Sequence, residues 1–276
     1  MGAEIAAWAA AGVDFEVREG VAWVRLDRPA KRNAIDRPMR TAMLGAVHEI
    51  AEDPGTRAAV ITGNGTAFCS GADLTQDQGP IEVPRERRVG GPNVTRTDGL
   101  LYGWWRLFKA IWDAEKPFVA AVNGPAAGFG CQLAFACDLV LAADEAYFWE
   151  IFVQRGLPLE GGAAWVLPRL TSLVRAKEMA LFGEPLSAAR AEQWGLINRT
   201  VNAAELIDMA ASWAKRLADG PTLRVGQIKQ QLNRSLESGM ELTFREEVTL
   251  LSMGGEDSEE AMQAYAERRE PRFTGR

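Results

Sequence analysis

The chain is poor in the residues that many catalytic and metal sites rely on. Of its 276 residues one is a histidine, His48. Ser-His-Asp hydrolysis and histidine-ligated metals would both have to use it. It lies in RTAMLGAVHEIAED, an amphipathic helical pattern in which a half-exposed surface residue is the simpler reading. There are three cysteines, Cys69, Cys131 and Cys137, with no CxxC pair and no zinc spacing. No metal site and no disulfide framework is expected, and a reducing, cytoplasmic compartment fits. No window reaches the roughly 18 uninterrupted apolar residues of a membrane span. The opening MGAEIAAWAAAGVDFEV has no basic segment ahead of a long apolar core, so no signal peptide is expected. Positive charge is also in deficit: the formal net charge is −6. That argues against a nucleic-acid or anionic-membrane surface, while a local basic patch can still hold an anionic small molecule. Tandem repeats, low-complexity runs and a Gly-x-Ser-x-Gly context are absent too, which sets aside a serine hydrolase related to the ClpP proteases.

What is present reads as an ordinary globular chain, 47% hydrophobic and 25% charged, long enough for one large domain or a domain with an appendage. FEVREGVAWVRLDRP alternates around Glu19-Gly20 as a β-hairpin does. A helix follows, with Asp36 as N-cap and Pro38 in its first turn. RAAVITG, FVAAVNG and CDLVLAAD are short buried strands between helices, the pattern of an α/β fold with a largely parallel sheet. Leu74 to Gly99 is rich in Pro, Gly and charge without a sustained period, and reads as a flap. LLYGWWRLFKAIWDAEKP returns to helix, and its tryptophans read as core and rim packing. From about Asn202 the pattern is helical only, which divides the chain into 1–201 and a helical 202–276 suited to subunit contacts.

Two stretches suggest chemistry. In FVAAVNGPAAGFGCQLAFACD a strand, a glycine turn and a helix follow one another, and ITGNGTAFCSGADL has the same strand-and-glycine character. The first N–H groups of a helix lack internal acceptors, and glycine lets a backbone approach a ligand closely. If the Ala72 and Phe129 N–H groups face each other, they form an oxyanion hole. One such donor is worth about 3–4 kcal/mol in a transition state.

With these motifs, and with RPAKRNAI, RGLPLEGG and the tail YAERREPRFTGR in the same order, the chain resembles the enoyl-CoA hydratase/isomerase, or crotonase, superfamily over nearly its whole length. The resemblance implies a crotonase-like spiral of ββα units with a C-terminal helical trimerisation region. It also implies homotrimers or dimers of trimers, and an acyl-CoA substrate. No cofactor is implied, because coenzyme A enters as part of the substrate. The oxyanion hole falls on Ala72 and Phe129, where Phe129 stands for a usual glycine. Lys31 and Arg32 fall at an early CoA contact. Tyr265 and Arg268, from a neighbouring subunit, fall near the nucleotide end.

The two glutamates that hydratases of this superfamily use fall here on Gln132 and Phe152. Hydration needs one group to activate water and another to deliver a proton, and an amide and a phenyl ring do neither. Two other carboxylates are candidates. Glu160 falls where an aspartate acts in the resembling 4-chlorobenzoyl-CoA dehalogenases and ring-epoxide phenylacetyl-CoA isomerases; a helix-capping or surface role is its other reading. Glu150 would share a face with Phe152 if YFWEIF were extended, and so enter the acyl pocket with Gln132, Phe148 and Phe152; a salt bridge is the alternative. Asp73 is expected to bond local N–H groups, and Cys69 to be a small buried hydrophobe. The expectation is an isomerase-like enzyme that works through an enolate with a single carboxylate. A hydratase with relocated acid and base (Glu150, Glu160) and a catalytically inactive acyl-CoA-binding protein are the rivals.

Overall fold

The computed structural model describes residues 2–75 and 103–276. The Gln76–Gly99 stretch read as a flap lies outside the described residues. Glu19 and Gly20 take φ of 49° and 78°, the left-handed pair whose twist suits a tight hairpin. On that turn β1 (Val13–Arg18) folds back antiparallel on β2 (Val21–Leu26). Four parallel strands extend the sheet from β2. They are β3 (Ala58–Gly63), β4 (Phe118–Val122), β6 (Leu139–Ala143) and β9 (Arg199–Val201), in the order β1-β2-β3-β4-β6-β9. Every residue of β3 and β4 is buried, as in a sheet covered on both faces. A second, three-stranded sheet pairs β5 (Ala126–Ala127) parallel to β7 (Tyr147–Trp149), and β7 antiparallel to β8 (Leu186–Ser187).

The helices, in chain order, are α1 (Gly2–Ala10), α2 (Arg37–Glu52), α3 (Trp104–Asp113), α4 (Phe129–Phe135), α5 (Ala163–Leu170) and α6 (Leu173–Phe182). After them come α7 (Ala188–Gln193), α8 (Leu206–Ala218), α9 (Thr222–Ser235), α10 (Met240–Ser252) and α11 (Glu256–Glu267). The expected cap of α2 is present: the Asp36 carboxylate accepts from the Met39 N–H at 2.9 Å. His48 is exposed on that helix. α8 lies on β3 and β4. Its buried positions Leu206, Ala210, Ala214 and Ala218 recur every fourth residue, and three of them are small enough to let the helix approach the sheet closely.

Two elements depart from the sequence reading. α1 was read only for targeting signals, yet it forms a helix whose Trp8 packs edge-on against Phe15 at 5.4 Å. Residues 147–152 are not one extended run. The strand ends at Trp149, and Ile151–Arg155 is a 3-10 turn closed by Gly156 at φ 67°. The cause is a missing partner. The strand paired with β7 ends at Ala127, where the chain turns through Gly128 into α4. Alternation therefore does not carry Glu150 and Phe152 to one strand face.

α9 is fastened to the core by one buried cation. Lys229 Nζ donates to Asp138 Oδ2 at 2.9 Å, to the Ile111 carbonyl at 2.9 Å and to the Lys116 carbonyl at 3.2 Å. Burial raises the Asp138 carboxyl above its ordinary range even beside this lysine. Removing one partner of such a pair leaves a desolvated charge behind. Lys229→Met is expected to lower the unfolding free energy by about 3 kcal/mol, read as a drop in the urea midpoint.

Candidate active site

The two glycine turns are in backbone contact. The Cys69 N–H donates to the Pro125 carbonyl at 3.1 Å, and the Ala127 N–H donates back to the Cys69 carbonyl at 2.9 Å. Neither turn has space for a side chain where they meet. A Cβ on Gly130 would lie 2.1 Å from the Cys69 carbonyl oxygen. One on Gly71, where φ is +90°, would lie 2.8 Å from the Ala127 oxygen and 3.5 Å from the Phe129 nitrogen. On its other side the Ser70–Asp73 turn is sewn to residues 32–35. The Ser70 N–H donates to the Arg32 carbonyl at 3.0 Å, Ile35 N–H to Gly71 O at 2.8 Å, and Asp73 N–H to Ile35 O at 2.9 Å. Successive N–H groups of extended chain point to opposite sides, which directs the Ala72 N–H away from Ile35. Among the described residues neither the Ala72 nor the Phe129 N–H has an acceptor. Phe129 opens α4, where such an orphan donor is expected. Its ring is buried and packs on Trp104 at 4.4 Å between centroids.

One helical turn beyond Phe129 stands Gln132, 0% exposed, and facing it is Glu150, also 0% exposed. Gln132 Nε2 donates to Glu150 Oε1 at 2.8 Å, to Oε2 at 3.0 Å and to the Gly128 carbonyl at 3.2 Å. Among the described residues Gln132 Oε1 has no partner. Burial pushes the Glu150 carboxyl up to about 8, against a smaller downward pull from the Gln132 amide. Glu150 thus reaches α4 from the start of the 3-10 turn rather than from a strand. Phe152 is buried, with its ring edge 3.8 Å from a Cβ built on Gly128. Phe148 is part of the core and stacks on Phe135 at 5.2 Å.

Glu160 is half-buried, in the turn that ends at Gly162 ahead of α5. That turn lies directly on α4: a Cβ on Gly161 would come within 2.7 Å of the Phe129 ring and 3.1 Å of Gln132 Cγ. Asp73 bonds the Thr75 N–H and hydroxyl at 3.0 and 2.6 Å, and pairs with Arg28 at 3.1 Å. The Thr75 bonds, with Arg28 beside them, hold its carboxyl below the ordinary range. Burial pushes the Cys69 thiol up to about 12, which leaves it protonated and inert. Among the described residues no cluster of His, Cys, Asp and Glu is arranged to hold a metal.

Lys31 and Arg32 are exposed on a 3-10 turn beside the Ser70–Asp73 segment. Tyr265 and Arg268 are exposed at the end of α11. Within one chain no hydrogen bond or ion pair joins the two sets among the described residues. A cavity of about 590 Å³ lies elsewhere, between α3, α5 and α9, lined by Trp105, Phe108, Trp112 and Trp165 among others. Sequence reading passed over Arg28, whose partners Asp36 and Asp73 stand at no regular spacing from it.

A profile of the family described as Enoyl-CoA hydratase/isomerase matches residues 16–276. A Rhodobacter capsulatus protein named "Probable enoyl-CoA hydratase" is 36% identical over 96% of this chain and 98% of its own. The 1,2-epoxyphenylacetyl-CoA isomerase of Escherichia coli is 32% identical over 94% and 97%. Among solved structures, an enoyl-CoA hydratase of Mycobacterium smegmatis superposes with a TM-score of 0.84 at 28% identity, covering 95% of this chain and 98% of that one.

The buried carboxyl has a consequence for stability. In the unfolded chain Glu150 releases its proton near 4.5, whereas in the folded chain it keeps it to about 8. Between those values the folded state holds the extra proton, so the contribution of Glu150 to stability falls as pH rises, by about 1.4 kcal/mol per unit. Urea unfolding from pH 5 to 8.5 should show Glu150→Gln gaining steadily on the wild type across that window and levelling off above it.

Proposed function

The chain belongs to the enoyl-CoA hydratase/isomerase family, and from that premise we propose that it moves a proton on an acyl-CoA thioester through an enolate, using one carboxylate in the manner of an isomerase. The observation that carries this reading is the backbone contact between the two glycine turns, with N–H groups at Ala72 and Phe129 that lack acceptors among the described residues. A thioester oxygen bridging them gains negative charge as Cα loses its proton, and fixed donors are worth most where charge develops.

Glu160 carries the proton. It is half-buried in a turn that touches both Phe129 and Gln132, whereas Glu150 is fully buried against the Gln132 amide. The Glu160 carboxylate takes the proton from Cα, the C–H electron pair moves into the C1–O enolate, and the same carboxyl returns the proton to carbon. Gln132 and Phe152 form the acyl side, and neither activates water. Lys31 and Arg32 contact the phosphates of coenzyme A, and Tyr265 and Arg268 come from a neighbouring copy in a homotrimer or dimer of trimers. Exposed Leu242, Phe244, Val248 and Leu251 on α10 suit the helical region 202–276 to that assembly. The relatives named for hydration, isomerisation and dehalogenation share the family, so membership alone does not choose the reaction.

Deuterium exchange at Cα of phenylacetyl-CoA in D2O, followed by NMR, tests the proposal. Exchange is expected in the wild type and should fall by about 100-fold in Glu160→Gln; unchanged exchange removes Glu160. Crotonyl-CoA should be hydrated slowly or not at all, and rapid water addition at Cβ would favour a hydratase using Glu150 and Glu160. Calorimetric binding of phenylacetyl-CoA without exchange would make the protein an acyl-CoA binder.

Gly71→Ala addresses the hole separately. Its new Cβ presses on the Ala127 oxygen and parts the turns. The exchange rate at saturating thioester should drop by about 100-fold in protein that circular dichroism shows to be folded, and the melting temperature should fall as well, since φ of +90° and the Ala127 oxygen both oppose a Cβ there.

A further inference from the structure

Arg28 is the residue that ties the proposed nucleotide contact to the proposed hole. Its Nη2 is 3.1 Å from Asp73 Oδ2, and its Nη1 is 3.3 Å from Asp36 Oδ2 and 2.5 Å from the Ala34 carbonyl. The side chains of all three charged residues are mostly buried, 18% exposed for Arg28, 11% for Asp36 and 3% for Asp73. One guanidinium therefore joins the two segments of a short parallel bridge between Ile35 and Ala72, through the residue that follows each. Next to that bridge the Lys31–Arg32 backbone is bonded directly to the hole segment. The Ser70 N–H donates to Arg32 O, and the Ser70 hydroxyl to Lys31 O at 3.3 Å. Arg32 and Asn33 both hold left-handed φ, 50° and 55°, a strained shape that the surrounding bonds must impose. Asn33 is pinned in turn by the Arg28 N–H at 2.9 Å and by the Ala67 carbonyl at 2.8 Å.

We infer that Arg28 is a positioning residue that couples nucleotide binding at Lys31 and Arg32 to the placement of the Ala72 N–H, so that the far end of coenzyme A contributes to turnover and not to affinity alone. This rests on the reading of Lys31, Arg32 and Ala72 given above. The physical basis is that remote binding energy raises the rate only when something transmits it to the reacting centre. Here the transmission is a few hydrogen bonds and one forked ion pair, with no mobile element between. An ammonium cannot replace the fork, because it is a single point that reaches one carboxylate at a time.

The test needs no turnover. Adenosine 3′,5′-bisphosphate, the nucleotide end of coenzyme A, is added to the full chain, and amide hydrogen exchange is followed on a peptide covering Cys69–Thr75. Bound nucleotide should slow exchange there by about 10-fold in the wild type, a size usual for coupled sites. In Arg28→Lys, and in Arg28→Met where it folds, nucleotide should still bind with this slowing lost. Nucleotide that binds the wild type and leaves the peptide unchanged overturns the coupling and leaves the enolate reading standing. Nucleotide that fails to bind, or that binds Lys31→Ala/Arg32→Ala as tightly as the wild type through Tyr265 and Arg268 alone, overturns the Lys31–Arg32 contact itself. On the kinetic side, exchange of phenylacetyl-pantetheine at saturation should be at least several-fold slower than that of phenylacetyl-CoA. The ratio should fall to near one in Arg28→Lys; a ratio unchanged by the substitution contradicts the inference.

Discussion

The site depends on main chain touching main chain. Cys69 donates its N–H to the Pro125 carbonyl and accepts from the Ala127 N–H across the junction of the two glycine turns, and no Cβ fits at Gly71 or Gly130. Such a contact is hard to detune. Side chains around it can change without parting the two turns, because backbone hydrogen bonds do not depend on residue type. Phe129 illustrates this. Its ring leaves toward Trp104 while its amide stays at the head of α4. A scaffold of this kind supports several reactions on one thioester, and the named relatives differ in reaction accordingly.

What surrounds the junction then decides the chemistry, and its charges are few. Asp73 is paired with Arg28. Glu150 is buried with its carboxyl raised to about 8, so at neutral pH it is mainly uncharged. Gln132 and Phe152 carry no charge at all. The enolate proposed above would meet little opposing negative charge from these groups, in contrast to a site that holds two ionised glutamates. The Gln132 amide is also oriented by Gly128 O, which requires a donor from it. Among the described residues that leaves Oε1 as a buried acceptor without a partner.

Local signals were legible in the chain and distant ones were not. The Glu19-Gly20 turn, the Asp36 cap, the buried strands and both glycine turns follow from conformational preferences and patterning over a few residues. Glu150 was read as a strand residue because alternation is blind to where a partner strand ends, and that end lies at Gly128. The pairing of Gln132 with Glu150 joins residues 18 apart, and that of Arg28 with Asp73 joins residues 45 apart; neither distance has a sequence period. α1 escaped for another reason. Its alanines favour a helix, but none of its residues is fully buried, so no apolar stripe announced it.

Glu150 and Glu160 illustrate how burial sorts like groups into different duties. A carboxyl sealed against an amide holds its proton well and exchanges it slowly with anything outside; it is suited to fixing Gln132. A carboxyl at the edge of the same helix turn can lose and regain a proton within each cycle. The apolar side chains of Phe129 and Phe108 lie against the Glu160–Gly162 turn at Gly161 and Gly162, so the proposed base stands at the edge of an apolar wall. In the reading proposed above, Gln132 and Phe152 leave the acyl side without an ionised carboxylate, and the proton then has Glu160 as its carrier.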